Sequence, residues 1–167
     1  MKDSVFYSLN QTWSPKSFNI DIMKISAHNS FKGKITNVVH GAVNAEVEIT
    51  TPGGDKIVAI VTQKSVKSLD LKAGKEAIAF FKASWVMLVT GDIKIRFSAR
   101  NQLAGQIKSF TRGSVNTEVR LLLRGGGLVY TIITNETADE LGIKDGLPAT
   151  ALIKANSIIL GVPGSSV

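Results

Sequence analysis

The segment GAVNAEVEITTPGGDKIVAIVT, residues 41–62, recurs as GSVNTEVRLLLRGGGLVYTIIT, residues 113–134. In both copies, runs rich in β-branched and other apolar residues flank a glycine-rich turn, which predicts two strands joined as a hairpin. The side chains expected on one face of its first strand are those of Val43, Ala45, Val47 and Ile49. This hairpin decides the fold prediction, because its recurrence indicates a duplicated β unit.

The repeat extends well beyond the hairpin. A shift of 72 residues aligns residues 24–90 with 96–162 without a gap, and it matches SAHN (26–29) with SARN (98–101) and FFKASWVML (80–88) with LIKANSIIL (152–160). We therefore expect one domain at residues 23–90 and a second at 96–162, joined by a short connector. Residues 1–22 lie outside the repeat and are interpreted as an N-terminal extension, either poorly ordered or the product of an upstream start.

Each unit is predicted to hold five strands and one helix. In the first unit the strands are expected at 31–39, 43–50, 56–61, 76–82 and 84–90, and the helix follows Thr62. Thr62 and Thr134 are candidate N-caps, and Gly142 is the expected C-terminal stop of the second helix. The predicted fold class is all-β, with two tandem five-stranded barrels of the oligonucleotide/oligosaccharide-binding (OB) type. Because each unit is small, we expect the two to share a core surface or to oligomerise.

Composition excludes several classes of protein. The chain has no cysteine and only two histidines, which excludes disulfides and thiolate sites and argues against a metal centre. Its apolar runs fall far short of the roughly 20 residues that span a bilayer. Without a secretory signal pattern, a cytoplasmic location is the expectation. The net charge of +7 favours an anionic ligand, but the cations are spread rather than interleaved with aromatic residues, which argues against nucleic acid.

Catalytic motifs are missing from the sequence. The glycines of RGGG lack the spacing of a phosphate-binding loop and precede a strand rather than a helix. Glu46 and Glu118 recur at matched positions and could form a catalytic pair, but they are interpreted as surface or subunit contacts. We therefore expect a protein that is not an enzyme.

Hydroxyl groups and cations recur at fixed spacing in both units. A threonine and a second hydroxyl three residues later open each predicted helix, where free N–H groups favour an anion, while lysine and arginine add charge. The competing interpretation is local capping plus surface charge. Recurrence favours a small-anion site built from Ser26, His28, Thr62, Ser65 and Lys82 in the first unit and Ser98, Arg100, Thr134, Thr137 and Lys154 in the second.

Taken together, SARN, GAVNAEV, the TxxS helix start and KASWVML resemble the Mop-type molybdate-binding domain, and the tandem pair is similar to the di-Mop molbindins. The resemblance covers residues 24–162. It implies a non-catalytic cytoplasmic protein that stores and buffers molybdate or tungstate, assembles as a homotrimer and has anion sites between domains. It also implies that Ala83 and Ala155 join the ten residues above as ligands, and that residues 41–44 and 113–116 contribute to a second class of site.

One departure and two alternatives accompany this resemblance. His28 stands where the second unit has Arg100. Because an imidazole is largely uncharged near pH 7, we expect weaker binding at the histidine site, strengthening as the pH falls. The alternatives are the sensing module of a molybdate-responsive transcription system and an OB-fold protein that binds nucleic acid, which would show steep salt dependence.

Overall fold

A computed structural model describes residues 24–164, so the interpretation of residues 1–22 lies outside the described residues. Within that range the chain forms ten strands, two α-helices and two short 3-10 helices. In chain order these are β1 Asn29–His40, β2 Asn44–Thr50, β3 Lys56–Thr62, α1 Gln63–Ser68, β4 Glu76–Phe81, a 3-10 helix Ala83–Trp85, β5 Met87–Thr90, β6 Asn101–Arg112, β7 Asn116–Leu123, β8 Leu128–Thr134, α2 Asn135–Glu140, β9 Pro148–Ile153, a 3-10 helix Ala155–Ser157 and β10 Ile159–Gly161.

The strands form two antiparallel sheets of five strands each. Their orders are β10-β4-β1-β2-β3 and β5-β9-β6-β7-β8. The predicted fold class is confirmed: the chain is mostly β, with two curled five-stranded half-barrels that each carry one short helix.

The two halves exchange their last strands. β5, from the first half, pairs with β9 of the second, where Leu88 lies opposite Ala151. β10, from the second half, pairs with β4 of the first, where Leu160 lies opposite Ala79. The sequence repeat does not show this exchange, because each half supplies one short apolar strand whichever sheet that strand joins.

Each sheet bends at the same place. The β1–β2 register shifts between Ile35 and Asn37, and the β6–β7 register shifts at the equivalent positions in the second half. A Cβ on Gly33 would lie 2.4 Å from the carbonyl oxygen of Thr50, so only glycine allows the strands to approach this closely. These irregularities curl the sheets around their cores.

One apolar cluster spans both halves, which confirms that they share a core. Ala45, Val47 and Ile49 are buried as the alternating pattern predicts. The prediction was wrong for Val43, which is 73% exposed. The reason is that β2 begins at Asn44, so Val43 lies in the turn before the strand.

The helix caps follow the sequence prediction. Thr62 and Thr134 are the N-caps of α1 and α2, and Gly142 follows the end of α2 with a φ of +66°. The strand expected at residues 84–90 was wrong in its first part, because the 3-10 helix Ala83–Trp85 precedes β5. Among residues 24–164, no helix has the length and apolar character needed to cross a bilayer.

The hairpin turns of the two halves meet. Asp55 accepts hydrogen bonds from the backbone N–H of Gly125, at 2.9 Å, and of Gly127, at 3.3 Å. A Cβ on Gly53 would lie 1.8 Å from the carbonyl oxygen of Gly125, its own counterpart in the repeat. Contact between equivalent residues is the signature of a twofold relation, so an approximate twofold axis passes between the two turns.

Candidate functional site

The helix starts hold the predicted pairs of hydroxyl groups. Thr62 Oγ1 accepts from the backbone N–H of Ser65 at 3.1 Å and lies 2.9 Å from the Ser65 hydroxyl. Thr134 and Thr137 repeat this arrangement at 3.1 and 2.9 Å. The predicted N-caps are therefore confirmed, and capping leaves the question of an anion site open. Thr62 and Thr134 are exposed, so a ligand can approach both helix starts from solvent.

Lys82 and Lys154 each precede a 3-10 helix, and each of these 3-10 helices packs against a strand of the opposite half. The 3-10 helix Ala155–Ser157 packs against β3, which leads into Thr62 and α1. A cleft of about 330 Å³ is lined by Thr62 and Ser65 from the first half and by Asn156 from the second. Lys154 precedes this 3-10 helix and is exposed, whereas Ala155 within it is buried.

The 3-10 helix of the first half makes the equivalent contact with the second half. The 3-10 helix Ala83–Trp85 packs against β8, which leads into Thr134. Exposed Lys82 precedes that helix, and Ala83 is buried in it. The Lys82 ammonium lies 5.8 Å from the centre of the Trp85 ring, within cation–π range. The counterpart of Trp85 in the second half is Ser157, which offers no ring.

The SAHN and SARN loops are attached to the opposite half by their asparagines. Asn101 Oδ1 accepts from Val58 N–H at 2.7 Å, and its Nδ2 donates to the Val58 carbonyl at 2.8 Å. Asn29 makes the same two bonds, both 2.8 Å long, with the backbone of Tyr130. Sequence reasoning missed these residues. A signal was available in the sequence: SAHN and SARN both end in asparagine, although their third residues differ.

The residues before each asparagine are carried to the other half with it. Ser26 and His28 are exposed in the segment that precedes β1, and Ser98 and Arg100 are exposed in the segment that precedes β6. Arg100 reaches β2 of the first half, where its Nε donates to Glu46 Oε2 at 2.9 Å and its Nη2 bonds Glu46 Oε1. This hydrogen bonding to the Glu46 carboxylate raises the pKa of Arg100 above its ordinary value.

The structure indicates which of the predicted site residues combine. From the sequence they are assigned by unit, with sites expected between domains, and strand exchange and the asparagine attachments bring each helix start toward loops of the opposite half. We name the two groups by their helices. The α1 cluster is Thr62, Ser65, Ser98, Arg100, Lys154 and Ala155; the α2 cluster is Thr134, Thr137, Ser26, His28, Lys82 and Ala83.

The two matched glutamates have different partners. Glu46 bonds Arg100 of the opposite half, whereas Glu118 bonds Arg120 of its own strand at 3.2 Å. Both glutamates are ion-paired and partly exposed, with side-chain exposures of 30% for Glu46 and 26% for Glu118. They are therefore surface residues, as expected from the sequence, and each has a specific arginine partner.

The chemistry of both clusters is that of hydrogen-bond donors with positive charge. Hydroxyls, an ammonium group and either guanidinium or imidazole can donate to the oxygens of a small anion. Among residues 24–164, no group of three or more His, Cys, Asp or Glu side chains is placed to hold a metal ion. The arrangement therefore suits an oxyanion ligand rather than a cation.

Comparison with known proteins places this chain in a family. The TOBE domain family model matches residues 25–88 and again 98–160. The solved structure of the cytoplasmic molybdate-binding protein ModG, with molybdate bound, is similar at a TM-score of 0.81 with 52% sequence identity, covering 84% of this chain and 100% of that one.

Two curated relatives extend this similarity. The chain is 40% identical over 156 residues to the molybdenum-pterin-binding protein MopA of Rhodobacter capsulatus, covering 93% of this chain. It is 39% identical over 142 residues to the molybdenum transport protein ModE of Azotobacter vinelandii, covering 85% of this chain. The chain spans 57% and 52% of the lengths of these relatives. The resemblance seen in the sequence is thereby confirmed, and the chain belongs to the TOBE domain family, with two tandem domains of the type found in the Mop and ModG proteins.

Proposed function

We propose that this protein binds molybdate as an intact oxyanion and stores and buffers it in the cytoplasm without catalysis. The observation that carries the proposal is the 52% identity with cytoplasmic ModG, a molybdate-binding protein whose whole length this chain covers. Storage follows from mass action, because a reversible site fills when free anion is abundant and empties when it becomes scarce.

The two clusters are the proposed sites. Molybdate is a tetrahedral dianion, so a site for it needs several N–H and O–H donors with compensating positive charge. Each cluster supplies two helix-start hydroxyls, a loop serine, a lysine and either arginine or histidine. Tungstate has the same shape and charge and is expected to bind the same donors. The buried alanines, Ala83 and Ala155, would contribute backbone groups rather than side chains.

A homotrimer is the proposed assembly. Val43 and Val115 occupy equivalent turns and are 73% and 69% exposed, and Met87 and Ile159 form a second matched apolar pair on β5 and β10. We expect these matched apolar side chains to be covered in the trimer, because burial of apolar surface favours association. The trimer itself is the assembly that the family resemblance implies, and residues 41–44 and 113–116 would lie at its proposed second class of site.

Equilibrium dialysis against molybdate, followed by elemental analysis, tests the binding function. We expect stoichiometric molybdenum in the intact protein and at least a tenfold loss of affinity at the α1 cluster in Lys154→Gln, because a charge-assisted donor is removed. Lys144→Gln, which removes the same charge from an exposed loop outside both clusters, is the matched control. Equal affinities for both variants, or no retained molybdenum in the intact protein, would contradict the proposal.

A second candidate is the sensing half of a molybdate-responsive regulator. It is supported by the 33% identity over 139 residues with the transcriptional regulator ModE of Yersinia pestis, of which this chain spans 52%. The storage role predicts that molybdate binding suffices in the isolated protein. The regulatory role predicts instead that a DNA-binding protein co-purifies with this chain in a molybdate-dependent manner.

A further inference from the structure

The Arg100 guanidinium is already held by a carboxylate of the opposite half. We propose that Glu46 competes with the bound oxyanion for Arg100 and thereby lowers the anion affinity of the α1 cluster. The inference rests on the proposed function, since it assigns a regulatory residue to the same site.

The geometry of the ion pair supports competition. Arg100 uses Nε and Nη2 to bond both oxygens of Glu46, which occupies one of the two edges of the guanidinium suited to paired acceptors. A tetrahedral oxyanion must therefore displace Glu46 or take the remaining donors beside a negative carboxylate. Either route reduces the free energy gained from Arg100.

The position of Glu46 places this pair near the helix start. Glu46 lies opposite Ile60 in the β2–β3 register, and Asn44 of the same strand lies opposite Thr62. The β3 residue opposite Glu46 is therefore two positions before Thr62, whose hydroxyl caps α1. At this separation a carboxylate also repels a bound dianion.

The second half lacks this arrangement. Glu118, the counterpart of Glu46, is bonded by Arg120, and the counterpart of Arg120 in the first half is Glu48. Beside the α2 cluster, Glu118 is thus paired with Arg120, which is not a member of that cluster. Beside the α1 cluster, Glu46 is paired with Arg100, which is a member of the α1 cluster. Arg100 consequently gives the α1 cluster less net positive charge than its sequence suggests.

The exposure of the Arg100–Glu46 ion pair limits how strongly Glu46 can weaken anion binding. The side chains of Arg100 and Glu46 are 56% and 30% exposed, so solvent screens their attraction. Exposed ion pairs of this kind change an equilibrium by about two- to fivefold. Glu46→Gln is therefore expected to tighten molybdate binding at the α1 cluster by about two- to fivefold.

A double-mutant cycle tests this inference by calorimetric titration with molybdate. The variants are Glu46→Gln and Arg100→Gln, singly and combined, with Glu48→Gln as the matched control. Glu48 lies on the same strand but bonds Lys56 and Thr36, so its loss removes the same charge without touching Arg100. We expect tighter binding in Glu46→Gln, little change in Glu48→Gln, and no gain from Glu46→Gln once Arg100 is replaced.

The outcomes separate the two proposals. Molybdate binding that is unchanged or weakened by Glu46→Gln would overturn the competition, as would a gain that persists without Arg100. Absence of molybdate binding in every variant, including the unsubstituted protein, would overturn the proposed function itself. Thermal unfolding of each variant identifies any change in affinity that arises from a loss of folding.

Discussion

At the scale of single residues, two buried asparagines decide how the halves fit together. Asn29 and Asn101 are 1% and 2% exposed, and each pairs its amide with the backbone N–H and carbonyl of one residue in the opposite half. A buried backbone group without a partner costs about 1–3 kcal/mol, and each asparagine gives partners to two such groups, fully buried at Tyr130 and partly buried at Val58. These side chains also hold the segments that carry His28 and Arg100.

Replacing either asparagine by alanine should destabilise the whole protein. We expect Asn101→Ala to reduce the free energy of unfolding by about 2–4 kcal/mol, because the backbone of Val58 loses both partners. Chemical denaturation measures the effect. Gln102→Ala is the control, since this exposed neighbour bonds only carbonyls of its own loop. A loss in Asn101→Ala no greater than in Gln102→Ala would show that the amide pairing contributes little.

At the scale of elements, the exchanged strands link the stability of each half to the other. Leu160 on β10 and Leu88 on β5 occupy equivalent positions, and both are buried. Because β10 completes the first sheet, the packing of β4 depends on a residue near the end of the second repeat. In the second sheet, the packing of β9 likewise depends on Leu88, a residue of the first repeat.

Hydrogen exchange can detect this cross-dependence. Leu160→Ala should cost about 2–5 kcal/mol, the usual range for a buried leucine, and should lower amide protection first in β4 of the first half. Its matched partner Leu88→Ala should lower protection first in β9 of the second half. If each substitution instead loosened strands of its own half, the exchanged pairing would be wrong for the protein in solution.

At the scale of the whole molecule, the chain resembles a symmetric dimer that has been joined into one polypeptide. Equivalent glycines meet at the turns, and the two asparagine attachments are related by the same approximate twofold axis. Asp55 breaks this symmetry, because its counterpart in the repeat is Gly127, which has no side chain and whose backbone N–H donates to the Asp55 carboxylate. The exposed Val43 and Val115 also follow the axis, so the molecule presents two copies of the same apolar turn.

These paired turns provide a test of the proposed trimer. We expect the intact protein to sediment as a trimer and the double variant Val43→Asp, Val115→Asp to dissociate to monomers, because burying two carboxylates at an interface is strongly unfavourable. Analytical ultracentrifugation measures both. Val39→Asp is a useful comparison, as Val39 is also exposed but lies within β1 rather than in the turn. A monomeric intact protein would contradict the proposal.

The sequence by itself determined the repeat, most of the strands and both α-helices, the helix caps and the residue types of the proposed anion site. It could do so because hydrophobic periodicity, turn glycines and capping hydroxyls act over a few neighbouring residues. Thr62 and Thr134 are the clearest examples, since their caps lie where the sequence predicts them.

Only the tertiary structure decided which residues meet. Whether β10 joins one sheet or the other changes no local pattern, so the sequence could not show that Lys154 is carried to the first half. The pairing of Arg100 with Glu46 joins residues 54 positions apart, and no local pattern in the sequence indicates that this arginine is paired with a carboxylate of the opposite half. Long-range packing of apolar strands and buried asparagines selects these contacts, because burial and hydrogen-bond satisfaction depend on the folded surroundings rather than on neighbours in the chain.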